Sequence, residues 1–181
     1  MRASIVINNF NYDRFVGQAV SSALSQTHAD TEVIVVDDGS EDGSFEVLEQ
    51  YAGRIKVVMK ENAGQASCYR VGLTESSGDV VLFLDADDYL RPNCIERVLQ
   101  HWTSAVAKAH FYLTLIDGEG ALIGGRVPSG KLAGVEARNM MQLFGSYSAP
   151  PSSGNVYNAS FLRKLFPLAN ENALRYSADA A

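Results

Sequence analysis

The sequence predicts an α/β fold, a mainly parallel β-sheet flanked by helices, and three observations carry that prediction. Runs at residues 3–7, 33–36, 55–59 and 80–84 are apolar at nearly every position rather than every second one, as strands buried on both faces require. Stretches with apolar residues at helical spacing lie between them. Polar clusters close three of the runs: Asn8-Asn9-Phe10-Asn11, Asp37-Asp38 and Asp85-Ala86-Asp87-Asp88. In open parallel sheets ligands bind beyond the carboxyl ends of the strands, so these clusters are expected to meet in one crevice.

The elements follow in order. Residues 3–7 are short and β-branched, a buried strand. Asp13 is placed to cap a helix whose apolar face is Phe15, Val16, Ala19, Val20, Ala23 and Leu24. The second strand, 33–36, stops at the turn formers Asp37-Asp38-Gly39-Ser40. Phe45, Leu48 and Tyr51 mark one face of a short helix, and residues 55–59 form a third strand. Glu61-Asn62-Ala63-Gly64 is a loop before a helix that reaches about residue 76 and is broken by Ser77-Gly78. The fourth strand, 80–84, is the most apolar. Pro92 suits the first turn of the next helix, where its missing N–H is no loss, and Ile95, Val98, Leu99 and Trp102 face the core.

Beyond about residue 105 the pattern changes. A strand is expected over 109–116, a turn at Asp117-Gly118-Glu119-Gly120 and a return strand over 121–123, followed by Gly-, Pro- and Ser-rich segments at 124–134 and 146–154. The chain therefore divides into a first half, 1–104, and a second, 105–181. The stop at Asp179-Ala180-Ala181, at the start of an apparent helix, reads as a truncation of that second half.

Composition excludes some functions. Fifteen Lys and Arg against 21 Asp and Glu leave a formal charge of −6 with no basic cluster, which argues against nucleic acid as a partner. Cys68 and Cys94 lie too far apart for a metal knuckle and are too few for a disulfide framework, so both read as core residues in a reducing compartment. No leader pattern opens the chain, and no apolar run approaches the ~20 residues that span a bilayer. The expected location is cytoplasmic, with docking at the inner face of a membrane also compatible.

Asp85, Asp87 and Asp88 are the chemical signal. Three carboxylates within four residues after a buried strand repel one another unless solvated or neutralised by a cation. Mg²⁺ and its like take oxygen ligands and complete their shell with water and substrate phosphates. Asp37 and Asp38 would suit turn formation, or acceptance of a hydrogen bond from a nucleobase N–H.

Taken together, these blocks resemble a known family. Ser4-Ile5-Val6-Ile7-Asn8-Asn9-Phe10-Asn11-Tyr12, Ala23-Leu24-Ser25-Gln26-Thr27, Glu32-Val33-Ile34-Val35-Val36-Asp37-Asp38-Gly39-Ser40, Glu61-Asn62-Ala63-Gly64-Gln65-Ala66-Ser67 and Gly78-Asp79-Val80-Val81-Leu82-Phe83-Leu84-Asp85-Ala86-Asp87-Asp88 resemble, in order and spacing, the opening of family 2 glycosyltransferases. The resemblance covers residues 3 to about 102. It implies the GT-A fold of nucleotide-diphospho-sugar transferases, a UDP-sugar or related donor, Mg²⁺ or Mn²⁺, and transfer to an acceptor hydroxyl with inversion. The acceptor would be a glycan, a lipid-linked sugar or a protein, in the synthesis of surface polysaccharide or other glycans.

By position, Asn8 and Phe10 would border the base and Asp38 would hydrogen-bond it. Asp85 and Asp87 would hold the ribose and the metal–diphosphate, and Asp87 and Asp88 the metal; the division of ribose and metal among the three stays open. Pro150-Pro151-Ser152-Ser153-Gly154-Asn155 and Phe161-Leu162-Arg163-Lys164 resemble the acceptor-side loop and following helix. Asp179 falls where the family places its catalytic base, with Ala178 replacing the usual Glu beside it. Arg70 stands where Asn is common, either as an exposed helix residue or as a cation for the diphosphate. The competing readings are a nucleotide-sugar-binding module without catalysis and a metal-dependent phosphohydrolase. The latter rests on the likeness of Leu82-Phe83-Leu84-Asp85-Ala86-Asp87 to the haloacid dehalogenase motif, which normally lies on the first strand.

Overall fold

The computed structural model describes residues 1–132, 134 and 148–166. Its centre is a six-stranded sheet of order β3-β2-β1-β4-β8-β5. The strands are β1 (Ala3–Asn9), β2 (Thr31–Asp37), β3 (Lys56–Met59), β4 (Val80–Asp85), β5 (Lys108–His110) and β8 (Asn155–Asn158). β1 to β4 run parallel, and β8 is antiparallel to both β4 and β5. A separate antiparallel ribbon pairs β6 (Leu113–Ile116) with β7 (Leu122–Val127). The helices are α1 (Asp13–Leu24), α2 (Ser44–Glu49), α3 (Gln65–Glu75), α4 (Cys94–Gln100) and α5 (Ala159–Leu162).

Pleating sends alternate residues of the central strands into two cores. Ile5, Ile7, Val35, Leu82 and Leu84 pack with Val16, Ala19 and Val20 of α1, Leu48 of α2 and Ile95 of α4. Val6, Ile34, Val36, Val81 and Phe83 pack with Ala66, Tyr69 and Leu73 of α3 and Leu162 of α5. The two-sided burial predicted from the apolar runs holds for β1, β2 and β4, whereas β3, at the sheet edge, leaves Lys56, Val57 and Met59 exposed; Trp102 packs against the first core as its spacing indicated. β5 and β8 both come from beyond residue 104 and complete the same sheet. Among the described residues no helix is long and apolar enough to cross a membrane.

Three local expectations need correction. Asp13 does not cap α1: the N-cap is Tyr12, without a side-chain cap bond. Asp13 instead ties α1 to the start of α2, its carboxylate accepting from the Gly43 N–H and its own N–H donating to Asp42. Phe45 is exposed, and Leu48 alone of its helix face is buried, because α2 is too short to lay more than one turn on the core. The expected strand over 109–116 is two strands in different sheets. After β5 the Phe111 N–H turns to the Gly154 carbonyl, and the chain leaves the main sheet for the ribbon.

Register sets the functional edge. β1 pairs Asn9 with Asp37 of β2 and Asn8 with Asp85 of β4. The three polar clusters thus stand level at the carboxyl ends of adjacent parallel strands.

Candidate functional site

The floor of the crevice is a hydrogen-bonded weave between strand ends. Asp37 is fully buried and accepts from Asn9 Nδ2 (2.7 Å), the Ser40 N–H (2.8 Å) and Ser40 Oγ (2.7 Å). Asn11, at φ 57°, donates its N–H to Ser40 and accepts from the Glu41 N–H through its side chain. Asn and Asp tolerate this left-handed backbone better than other non-glycine residues. The β1 and β2 loops are therefore locked together, and Phe10 and Tyr12 are left projecting at 44% and 40% exposure.

Asp38 is buried as well, at 3% exposure. Its carboxylate accepts from Lys60 Nζ, the Ala63 N–H (3.0 Å) and the Gly64 N–H (2.7 Å). Burial first and the Asp38 charge second push the nearby Cys68 thiol up to about 12. A carboxylate offers roughly four lone-pair sites, so Asp38 fastens the loop at 61–64 with most of its accepting capacity, leaving little for a base N–H.

Asp85 is the most tightly held of the acidic triplet. Oδ1 accepts from Asn8 Nδ2 (2.9 Å) and Gln65 Nε2 (3.1 Å), and Oδ2 from Ser152 Oγ (2.7 Å). The carboxylate dictates that Asn8 turns its NH₂ toward Asp85. Asn8 Oδ1 is consequently buried with no hydrogen-bond partner. An orphaned acceptor at a crevice edge is costly unless a ligand donor meets it.

Asp87 opens to solvent and Asp88 is partly buried. Desolvation by the surrounding protein, then the Asp85 charge, raises the Asp87 carboxyl above the usual range. Burial raises Asp88 as well, a Ser153 hydrogen bond opposes it, and the Asp87 and Asp85 charges add to the rise. The same field reaches Tyr12, whose phenol is pushed up by Asp87, by partial burial and by Asp85. Among the described residues no Lys or Arg pairs with any of the three acids.

Among the described residues no three His, Cys, Asp or Glu side chains form a closed metal cage. The chemistry present fits an open site. Two hard, mutually repelling carboxylates, Asp87 and Asp88, would ligate a Mg²⁺-like ion, with water and ligand phosphate oxygens completing the shell.

A cleft of about 310 Å³ adjoins these two acids. Phe15 and Gln18 of α1, Leu113 to Ile116 of β6, the Asp117-Gly118 turn and Pro151 line it. Arg14 latches that turn to α1, donating to the Gly118 carbonyl (3.2 Å) and Glu119 (2.7 Å). Arg70 lies elsewhere, in a groove with Leu73, Thr74, Arg163 and Phe166.

The fold thus brings Asn8, Asp85, Asp87 and Asp88 to one edge, with Phe10 projecting beside them and Asp38 behind. Asp179 lies outside the described residues. Sequence reasoning missed Gln65, Ser152, Ser153, Lys60 and Tyr12 as neighbours of these groups. Gln65 and Lys60 flank a loop that was noted, but nothing in their local pattern marks their distant carboxylate partners.

Comparison with known proteins bears on the fold and the family. A glycosyltransferase of Nostoc sp., itself uncharacterized, is 37% identical over 93% of this chain, which spans 54% of that relative's length. The structure of Staphylococcus aureus TarS residues 1–349 in complex with UDP superposes with a TM-score of 0.68 at 18% identity, covering 98% of this chain and 52% of that one. A mannosyltransferase of Pyrobaculum calidifontis in complex with GDP-Man and Mn²⁺ gives 0.52 at 19% identity, covering 59% and 34%. Both likenesses are of the GT-A fold. The sequence model described as Glycosyl transferase family 2 matches residues 4–148, and with the fold and the relative of Nostoc this shows that the chain belongs to that family.

Proposed function

We propose that this chain forms the donor-binding part of an inverting glycosyltransferase that moves a sugar from a nucleotide diphosphate, UDP first of all, to an acceptor hydroxyl. The observation that carries the reading is the meeting, at one sheet edge, of Asn8, with its orphaned acceptor, and the acids Asp87 and Asp88, with which no Lys or Arg among the described residues pairs. Phe10 is exposed where an aromatic ring can stack on the base. Asn8 Oδ1 accepts a donor N–H or ribose O–H. Asp38 borders the base from behind the 61–64 loop. Asp85, pre-oriented by Asn8, Gln65 and Ser152, has one accepting position left on Oδ2 for a ribose hydroxyl.

Asp87 and Asp88 hold Mg²⁺ or Mn²⁺, which when bound neutralises charge on the departing diphosphate. The cleft beside them receives the acceptor, making residues 105–181 the acceptor half and 1–104 the donor half. Asp179 takes the proton of the attacking hydroxyl. The acceptor belongs to the class of glycans, lipid-linked sugars or proteins, in keeping with surface polysaccharide synthesis at the cytoplasmic face of a membrane.

The test is a panel of nucleotide sugars in thermal-shift and turnover assays with and without Mn²⁺, on a chain extended beyond residue 181. Mn²⁺-dependent stabilisation by one donor, lost in Asp87→Ala, is the expected result. Asp179→Asn should keep donor affinity while transfer falls at least about 100-fold. Stabilisation without turnover would make the chain a binding module. Retention at the anomeric carbon would refute single displacement.

A further inference from the structure

The acid cluster has a second support that lies far along the chain, in the 3-10 turn Ser152–Gly154 before β8. The β8 ladder on β4 ends at the pair Leu82–Val156. Beyond it, the Asp85 N–H donates to the side chain of Ser153 at 3.0 Å. Ser153 Oγ, acting as an acceptor, thus fixes the backbone at the point where β4 gives way to the acid cluster. One residue earlier, Ser152 Oγ donates to Asp85 Oδ2 at 2.7 Å. Both serines are buried, at 3% and 1% exposure.

The turn that carries them is itself clamped. Asn155 Nδ2 lies 3.3, 2.7 and 3.4 Å from the carbonyls of Pro150, Pro151 and Ser152. A Cβ on Gly154 would come within 2.9 Å of the Phe111 carbonyl, so only glycine fits that packing. Pro151, in the same turn, lines the cleft beside Asp87 and Asp88.

We infer that Ser152 and Ser153 are positioning residues that set Asp85, the first of the acid cluster, for a nucleoside diphosphate. This rests on the donor-site reading above. Ser153 holds the Asp85 backbone by accepting its N–H, and Ser152 holds the Asp85 carboxylate on the oxygen opposite the one that Asn8 and Gln65 bind. Asp85 is consequently fixed by residues past 104, in the turn that also borders the cleft beside Asp87 and Asp88.

The test is calorimetric titration of UDP, with and without Mn²⁺, and of Mn²⁺ alone. The proteins are wild type, Ser152→Ala, Ser153→Ala, Ser153→Cys and the control Asp87→Ala, with circular dichroism and melting to confirm folding. Ser153→Cys keeps the shape with a weak acceptor and serves if the alanine variant does not fold. Ser152 donates to a charged carboxylate, so Ser152→Ala should lose about ten- to a hundredfold in UDP binding, with and without Mn²⁺. Ser153→Ala and Ser153→Cys should weaken UDP binding in the same sense. Wild-type UDP affinity in the folded serine variants, with Asp87→Ala impaired in the Mn²⁺-dependent part, would overturn the proposal and leave the donor reading intact. No UDP binding by wild type would overturn both.

Discussion

Replacing Lys60 by Met should cost this fold about 3 kcal/mol, well beyond what a surface ion pair contributes. The Lys60 side chain is 16% exposed and the Asp38 side chain 5%. Removing one partner of a buried pair leaves an uncompensated charge, at about 3–5 kcal/mol. Asp38 keeps the Ala63 and Gly64 amides at 3.0 and 2.7 Å, which places the cost at the lower end of that range. Met is close to Lys in length, so cavity formation adds little. The assay is urea unfolding of wild type, Lys60→Met, Asp38→Asn and the double variant. A double-mutant cycle should return a coupling of at least about 1.5 kcal/mol. A loss below about 1 kcal/mol for Lys60→Met, the size of an exposed pair, or plain additivity, would refute the claim that Asp38 anchors the 61–64 loop through Lys60.

Three further outcomes are expected. Gly72→Ala on α3 puts a Cβ 2.2 Å from Val6 Cγ1 on β1; overpacking of about 1–3 kcal/mol should outweigh the gain in helix propensity, and an unchanged or higher melting temperature would count against the close α3–β1 approach. Burial and then Asp85 raise the Asp87 carboxyl, so its ionised form costs stability once pH exceeds the raised folded value, and the cost is absent below the ordinary ~3.9. Asp87→Asn should therefore melt higher than wild type at pH 7 without metal, with the gap closing toward pH 4; identical melting at pH 7 would sink the idea. Glu32 is opposite in sign: burial raises it, but hydrogen bonds from Ser4, Ser77 and Arg2 outweigh that and lower its carboxyl. Its stabilisation is present above the ordinary ~4.3 and is lost as pH falls through the lower folded value. The deficit of Glu32→Gln at pH 6 should shrink in acid, and a pH-independent deficit would show that charge is not involved.

How much was legible in the sequence follows from the range of the interactions involved. The four apolar runs and the helical faces of α1 and α4 are local patterns, and the parallel sheet reads directly from them; that the third run lies at the sheet edge, with Val57 and Met59 exposed, does not, because strand order is set by distant pairing. The turn at Asp117-Gly118-Glu119-Gly120 is local too, and the return strand after it pairs with β6 as expected. Phe45 misleads because helical spacing cannot say that α2 ends at Glu49, leaving one buried turn. The split of 109–116 is hidden because the Phe111 N–H finds its partner at Gly154, forty-three residues away.

The sequence by itself determined the parallel α/β architecture, the family, and the placing of Asn8 and the Asp85 to Asp88 cluster at strand ends, since periodicity and motif order are written in neighbouring residues. Only the tertiary structure decided that Asp38 is buried against Lys60, that Asn8 is left with an unpaired oxygen, and that Ser152 and Ser153 reach back to Asp85. Those facts depend on which distant donors the sheet brings within about 3 Å of a carboxylate, and a hydrogen bond across such a span of chain leaves no periodic trace in the sequence around either partner.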